Sequence, residues 1–313
     1  MPPVARRSDR YPAHRAFYAQ AQKTPGFRPV ILGFIIIETL YEMGQRLFGY
    51  GVGALAHDSA EDILTGRSAL GLTISLASFV ILTAATAFVL RAVHGRRLAS
   101  LIAPDKAGRA RALAQFASAL PYILLLFLAV ELMPPWWDAS EIAAIRPPLL
   151  WMLWLIPGMA ALLIQISAEE LFYRGYLQQQ IAAHIRGNLG WLVLPNIAFA
   201  LAHWQVGGPA LANTQYMIWA FTFGLAASDL TARAGTLGPA LALHFANNAY
   251  AFLFYGEQGG PDSGLALLLF SPSGIAHPFE DTGSTEVLFS PALLSELGLT
   301  LLMWIAARIA IRR

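Results

Sequence analysis

The chain contains no cysteine. Disulfides, thiolate metal sites and a cysteine nucleophile are thereby excluded. Charge is scarce as well: 13% of the 313 residues are Asp, Glu, Lys or Arg, where a soluble chain carries about a quarter. No internal repeat and no soluble domain is visible. What fills the sequence instead is apolar, 56% of it hydrophobic, with a mean hydropathy of +0.52. This balance excludes an ordinary soluble globule and reads as an all-α polytopic membrane protein.

Uncharged runs of about 18 or more apolar residues mark membrane spans. Ser68 to Leu90, Ala112 to Val130 and Pro147 to Ala168 qualify. Gly187 to Ser228 is twice the needed length and is broken by "GGPALAN" (Gly207 to Asn213), so it makes two spans. Ala234 to Gly256 and Val287 to Ile311 follow, the latter with Glu296 as its one acid. With the weaker segment from Pro29 to about Gly51, the expectation is a bundle of about eight transmembrane helices.

The first 28 residues are basic (Arg6, Arg7, Arg10, Arg15, Lys23, Arg28) and lead into "PVILGFIII". That imitates a signal peptide, and "ALA" before His57 imitates a cleavage site. The lead is too long, however, and Glu38, Glu42 and Arg46 interrupt any apolar core. Residues 1–28 are therefore read as a cytosolic basic tail and residues 29–313 as one transmembrane domain. Charge placement agrees. With the N-terminus inside, the inner loops hold Arg91, Arg96, Arg97, Lys106, Arg109, Arg111, Arg186 and Arg233, and Arg308, Arg312 and Arg313 close the chain. The outer loops hold Asp58, Glu61, Asp62, Asp138, Glu141, Glu257, Asp262, Glu280, Asp281 and Glu286; only Arg67 and Arg146 dissent. This alternation follows the positive-inside rule and puts both termini in the cytosol; the Arg-, Ala-, Gly- and Pro-rich composition points to a bacterial inner (cell) membrane. The loop from Glu257 to Glu286 holds the apolar stretch "LALLLF", read as a short dip toward the membrane.

The fourth span ends in "ISAEELFYRGYLQQQ", where two acids and a base break a long neutral run. Ionisable groups at membrane depth cost roughly 2.5–3.5 kcal/mol on insertion scales and mark function or a buried pair. Glu170 and Arg174 are four apart and share a helix face, so they can neutralise each other. Glu169 is turned by about 100° and needs another reason to be there. A carboxylate in a partly dry cavity can serve as a general base. The next span carries His203, with Phe199 one turn below it. Taken alone, a lone helical histidine is more often a satisfied core residue. The seventh span carries "HFANN", in which His244 and Asn248 share a face and Asn247 lies beside them. Such residues also glue membrane helices together. In combination, a Glu base with His and Asn donors can split an amide with water. Two His and a Glu on Zn²⁺ would activate water too, and with no H-E-x-x-H the ligands would come from three helices.

The ordered motifs "EELFYR", "FALAH" and "HFANN", the last led by "GTLGPALALH", resemble the CAAX-protease and bacteriocin-processing family of intramembrane proteases, which includes the type II CAAX prenyl endopeptidases. The resemblance is strong over residues 147–256. It implies Glu169 as catalytic base, His203 as its water-positioning partner, and His244 with Asn248 as the oxyanion-stabilising pair. Glu170 and Arg174 match the motif's supporting positions, with Asn247 and Phe199 beside them. It further implies a membrane-associated or lipidated peptide substrate, with no nucleic-acid partner. A cofactor is left as none or a divalent metal such as Zn²⁺, for which Glu169, Glu170, His203 and His244 are the candidate ligands. A transporter using the same polar groups as a proton relay, or a catalytically silent binding or immunity protein, is the alternative.

The remaining polar groups have structural readings. Glu42 and Arg46 are expected to pair, with Glu38 at the cavity mouth. Asp229 and Arg233 are expected to pair at a cytosolic helix end, and Trp136 and Trp137 to sit in an interfacial belt. Span boundaries put Glu169 near the cytosolic end of its helix and His203 deeper. A common site therefore requires the fourth helix to extend past Glu169, and the expected cavity opens to the cytosolic half.

Overall fold

The computed structural model describes residues 11–133, 139–271 and 288–312. Trp136 and Trp137 lie outside the described residues, as do Asp138, Glu280, Asp281 and Glu286. Among the described residues, eight helical segments reach fourteen residues or more: α1 (Arg28–Leu55), α2 (Ala69–Ala92, with a turn at Ser78 and Phe79), α3 (Lys106–Glu131), α4 (Pro148–His184), α5 (Asn188–Leu201), α6 (Ala210–Ala234), α7 (Gly238–Leu253) and α8 (Pro291–Ile311). Four of them, α2, α3, α4 and α8, are long and apolar enough to cross a membrane. Charges interrupt α1, while α5 and α7 are shorter. Leu and Ile side chains such as Leu32, Ile35, Leu125, Leu153 and Ile156 point outward from α1, α3 and α4, as they would toward lipid.

Helix starts follow from local chemistry. Ser68, Asp105 and Ser290 accept hydrogen bonds from the backbone N–H groups of Gly71, Gly108 and Leu293. Each thereby satisfies a donor that the first helical turn leaves open. The glycines in "GTLGP" allow a close crossing: a Cβ on Gly238 would lie 2.1 Å from the Ala112 carbonyl oxygen, so the first turn of α7 rests on the backbone of α3. At Gly33 a Cβ would meet the Tyr176 hydroxyl at 2.0 Å. With Phe34 stacked on Phe172 at 6.0 Å, this clamps α1 to α4.

Several expectations are corrected. Within the basic segment, residues Pro12–Tyr18 form a helix in which Phe17 is fully buried. The Tyr11 hydroxyl donates to Asp229 Oδ1 at 2.7 Å. Asp229 also receives Arg233 Nε at 2.6 Å and Trp304 Nε1 at 2.9 Å, so the expected pair becomes a knot joining the N-terminal segment, α6 and α8. Burying Phe17 is what brings the tail down. No ion pair joins Glu42 and Arg46 among the described residues; both side chains are exposed, where holding two long chains together gains little. The "LALLLF" stretch is not a dip. It supplies the central strand β3 (Leu268–Phe270) of a three-stranded sheet, between β1 (Ile142–Ile145) and β2 (Tyr255–Glu257). Pairing satisfies its backbone, as an unpaired dip would not. Arg146, a dissenting outer cation, donates to the carbonyls of Ala266 and Ser263 at 2.9 and 3.2 Å; the other, Arg67, pairs with Glu61 at 2.7 Å.

Beyond the end of α2, His94 lies within hydrogen-bond distance of Thr24 Oγ1 at 3.0 Å and of the Tyr176 hydroxyl at 2.9 Å. Burial first, then the charges of Arg96 and His184, push this imidazole down to about 4. The folded state thus binds its proton less readily than the unfolded chain, whose imidazole titrates near its ordinary value of 6.5. The stability this group contributes is full above about pH 6.5 and is lost as pH falls toward 4. Melting temperature in detergent should therefore fall over that window in wild type, and fall less steeply over it in a His94→Gln variant.

Candidate functional site

Glu169 and Glu170 close the α-helical part of α4. The next seven residues, Leu171–Leu177, wind as a π-helix. This wider i→i+5 turn occurs mostly as a local insertion, frequently at functional sites. The two acids face different neighbours, as their rotation about the helix requires. Glu170 is fully buried, and its Oε1 receives Arg174 Nη1 at 2.8 Å. The Arg174 guanidinium, buried to the same degree, lies 4.4 Å over the Phe199 ring. The pair expected from the spacing is present, and a third member joins it: His244 Nδ1 lies 2.9 Å from the same Glu170 oxygen.

That contact fixes a hydrogen. A carboxylate already paired with a guanidinium is an acceptor, so His244 donates from Nδ1 and turns Nε2 outward. Nε2 stands 3.6 Å from Glu169 Oε2, inside ion-pair range and beyond a direct hydrogen bond. The other Glu169 oxygen, Oε1, receives Gln165 Nε2 at 2.6 Å. Gln165 Oε1 in turn receives Asn248 Nδ2 at 3.1 Å, and Asn248 Oδ1 receives Asn247 Nδ2 at 3.0 Å.

His203 lies just past the last turn of α5, its Nδ1 2.7 Å from the Phe199 carbonyl oxygen. A carbonyl only accepts, so Nδ1 carries the hydrogen and the neutral ring keeps Nε2 as an acceptor. Phe199 and Tyr216 hold that imidazole edge-on, with ring centroids 4.5 and 5.3 Å away. Phe199 and Phe223 hold His244 in the same manner, at 6.2 and 5.2 Å. Glu38 is half-buried on α1, and its charge, like that of Glu169, reaches Tyr173.

The structure therefore gathers two hydrogen-bonded sets, Glu169 with Gln165, Asn248 and Asn247, and Glu170 with Arg174 and His244, which meet where His244 Nε2 faces Glu169 across 3.6 Å; the Phe199 ring packs against Arg174, His244 and His203. The sequence reading missed three contributors. Gln165 stands four residues before Glu169, a spacing that could have signalled it. Tyr216 and Phe223 on α6 carry no motif. The extension of the fourth helix that a common site requires is present. α4 continues through the π segment to His184, which places Glu169 about 22 Å from that end at 1.5 Å per residue. Just past His203, Trp204 and Val206 are exposed.

Metal ligation does not fit this arrangement. Glu170 is committed to Arg174 and His244, and among the described residues no group of three His, Cys, Asp or Glu side chains is placed to hold an ion.

Residues 147–250 match the model of a protease family described as Type II CAAX prenyl endopeptidase Rce1-like. This match supports the resemblance carried by the three motifs, and its bounds contain all of them. The chain is also similar to Uncharacterized protein YyaK of Bacillus subtilis (strain 168), 29% identical over 154 residues, covering 46% of this chain and 48% of that protein. The chain thus spans about half the length of that relative. No solved structure matches.

Proposed function

We propose that this chain, whose residues 147–250 carry the signature of the CAAX-protease family, is an intramembrane endopeptidase acting on a membrane-associated or lipidated peptide. One observation carries the reading. Of two adjacent acids, Glu170 is neutralised by Arg174 and His244, while Glu169 keeps an oxygen facing His244 Nε2 at 3.6 Å with no cation on it. A water held by that oxygen and by the open Nε2 of His203 loses its proton to Glu169 as its oxygen attacks the scissile carbonyl. Asn248 Nδ2–H meets the oxyanion that develops, and His244, its Nδ1–H held by Glu170, adds an Nε2–H once it has taken up a proton from solvent. Glu169 then returns the proton to the departing amine. Glu170 and Arg174 hold His244 in the required orientation.

The proposal extends to the setting. Eight crossings with both termini on the cytosolic side of a bacterial cell membrane accommodate the charge pattern, the shorter helices being completed by their flanking turns. The test is incubation of the purified chain with lipidated and unlipidated peptides, with and without chelator, read by mass spectrometry. Defined cleavage products, unchanged by chelator, are expected. Their absence from every peptide, with proton-coupled solute uptake in vesicles, would replace the protease with a transporter.

A further inference from the structure

One side chain outside all three motifs touches two of them. Gln165 is buried on α4 one turn before Glu169. It donates Nε2 to Glu169 Oε1 at 2.6 Å and accepts Asn248 Nδ2 on its own Oε1 at 3.1 Å. This is the direct link between the acid of α4 and the amide of α7.

The direction of the link is not arbitrary. An ionised carboxylate only accepts, so the Gln165 amide must turn its nitrogen to Glu169; the flipped amide would set two oxygens 2.6 Å apart. Its oxygen then faces α7 and can only accept, which requires the nitrogen of Asn248 to face Gln165. The oxygen of Asn248 is left for Asn247 Nδ2, at 3.0 Å. One acid on α4 therefore sets the orientation of two amides on α7. Each amide nitrogen carries two hydrogens. One hydrogen of Asn248 is spent on Gln165, which fixes where the second one points. On the other side, Gln165 occupies Oε1 of Glu169 and leaves Oε2 toward His244. No apolar side chain can do either job, and a carboxylate at 165 lacks the donor.

We propose that Gln165 is a positioning residue. It selects the Glu169 oxygen that takes the proton from water, and it aims the Asn248 hydrogen at the oxyanion. This rests on the proteolytic reading above. Gln165 acts through Glu169 and Asn248, and it touches no substrate.

The test uses the full chain in detergent and a cleaved peptide. Gln165→Leu should lower kcat by up to about 100-fold, as misplacement of reacting groups does, with KM within about twofold and the melting temperature little changed. Gln165→Met, closer in length, should behave alike and replaces the leucine variant if that one does not fold. In an Asn248→Ala background the same change should cost much less, because coupled residues are not additive. Full activity in Gln165→Leu, a loss confined to KM, or equal costs in both backgrounds would overturn the inference. If wild type cleaves, Glu169→Ala does not and Gln165→Leu is fully active, this inference falls and the protease stands. No cleavage by wild type removes both.

Discussion

Glu169→Ala is expected to abolish peptide cleavage while the protein still inserts, purifies and melts as wild type does. Loss of a general base costs roughly 10²–10⁴-fold, which in a membrane protease assay is close to background. The structural price should be small. Glu169 accepts one hydrogen bond, from Gln165, and its second oxygen faces His244 across 3.6 Å without a close partner. Glu169→Gln keeps the volume but cannot take a proton, so it should be equally inactive. The measurement is product formation by mass spectrometry beside a thermal melt. Full cleavage by either variant would end the assignment of the base.

Arg174→Met should act in the opposite manner, through the fold. Glu170 and Arg174 are both inaccessible, joined at 2.8 Å, and the guanidinium lies over Phe199. Removing one member of such a pair strands the other charge and costs about 3–5 kcal/mol. Little folded protein should be recovered, and what is recovered should melt well below wild type. Arg174→Lys keeps the charge but not the flat stacking surface, so it should fall between the two. Replacing both partners, as in Glu170→Gln with Arg174→Met, removes the stranded charge and should restore much of the yield. It should not restore full cleavage, because a neutral amide oxygen holds His244 Nδ1–H more weakly than the carboxylate does. A single Arg174→Met variant as stable as wild type would contradict the burial on which this rests.

Much of this was legible in the chain because membrane helices and their polar interruptions write strong signals. The spans of α2, α3 and α8 follow from uncharged runs, and the Glu170–Arg174 and Asp229–Arg233 pairs from helical spacing. What escaped was decided by tertiary packing. The end of α4 was not fixed by the sequence, because residues 171–184 are mixed in character. Gln178 and Gln179, both fully buried, bond to His14 of the N-terminal segment, to the carbonyl oxygen of Ser228 and to the carbonyl oxygen of Ser100. No periodicity announces a glutamine buried by contacts 50 to 164 residues away in sequence. Phe17 looked like part of a basic tail, and nothing local says that it enters the core. Within the site, spacing could suggest that Glu170 binds Arg174. It could not show that His244, 74 residues later, shares the same oxygen.

The contact of Gly33 with Tyr176 bears on how α1 is held against the rest of the bundle. There the Tyr176 hydroxyl reaches the backbone of α1 while standing 2.9 Å from the His94 ring. A methyl group at position 33 would meet that hydroxyl at 2.0 Å and drive it off the imidazole. One missing side chain on the first helix is thus what lets a phenol and a histidine from two other segments meet.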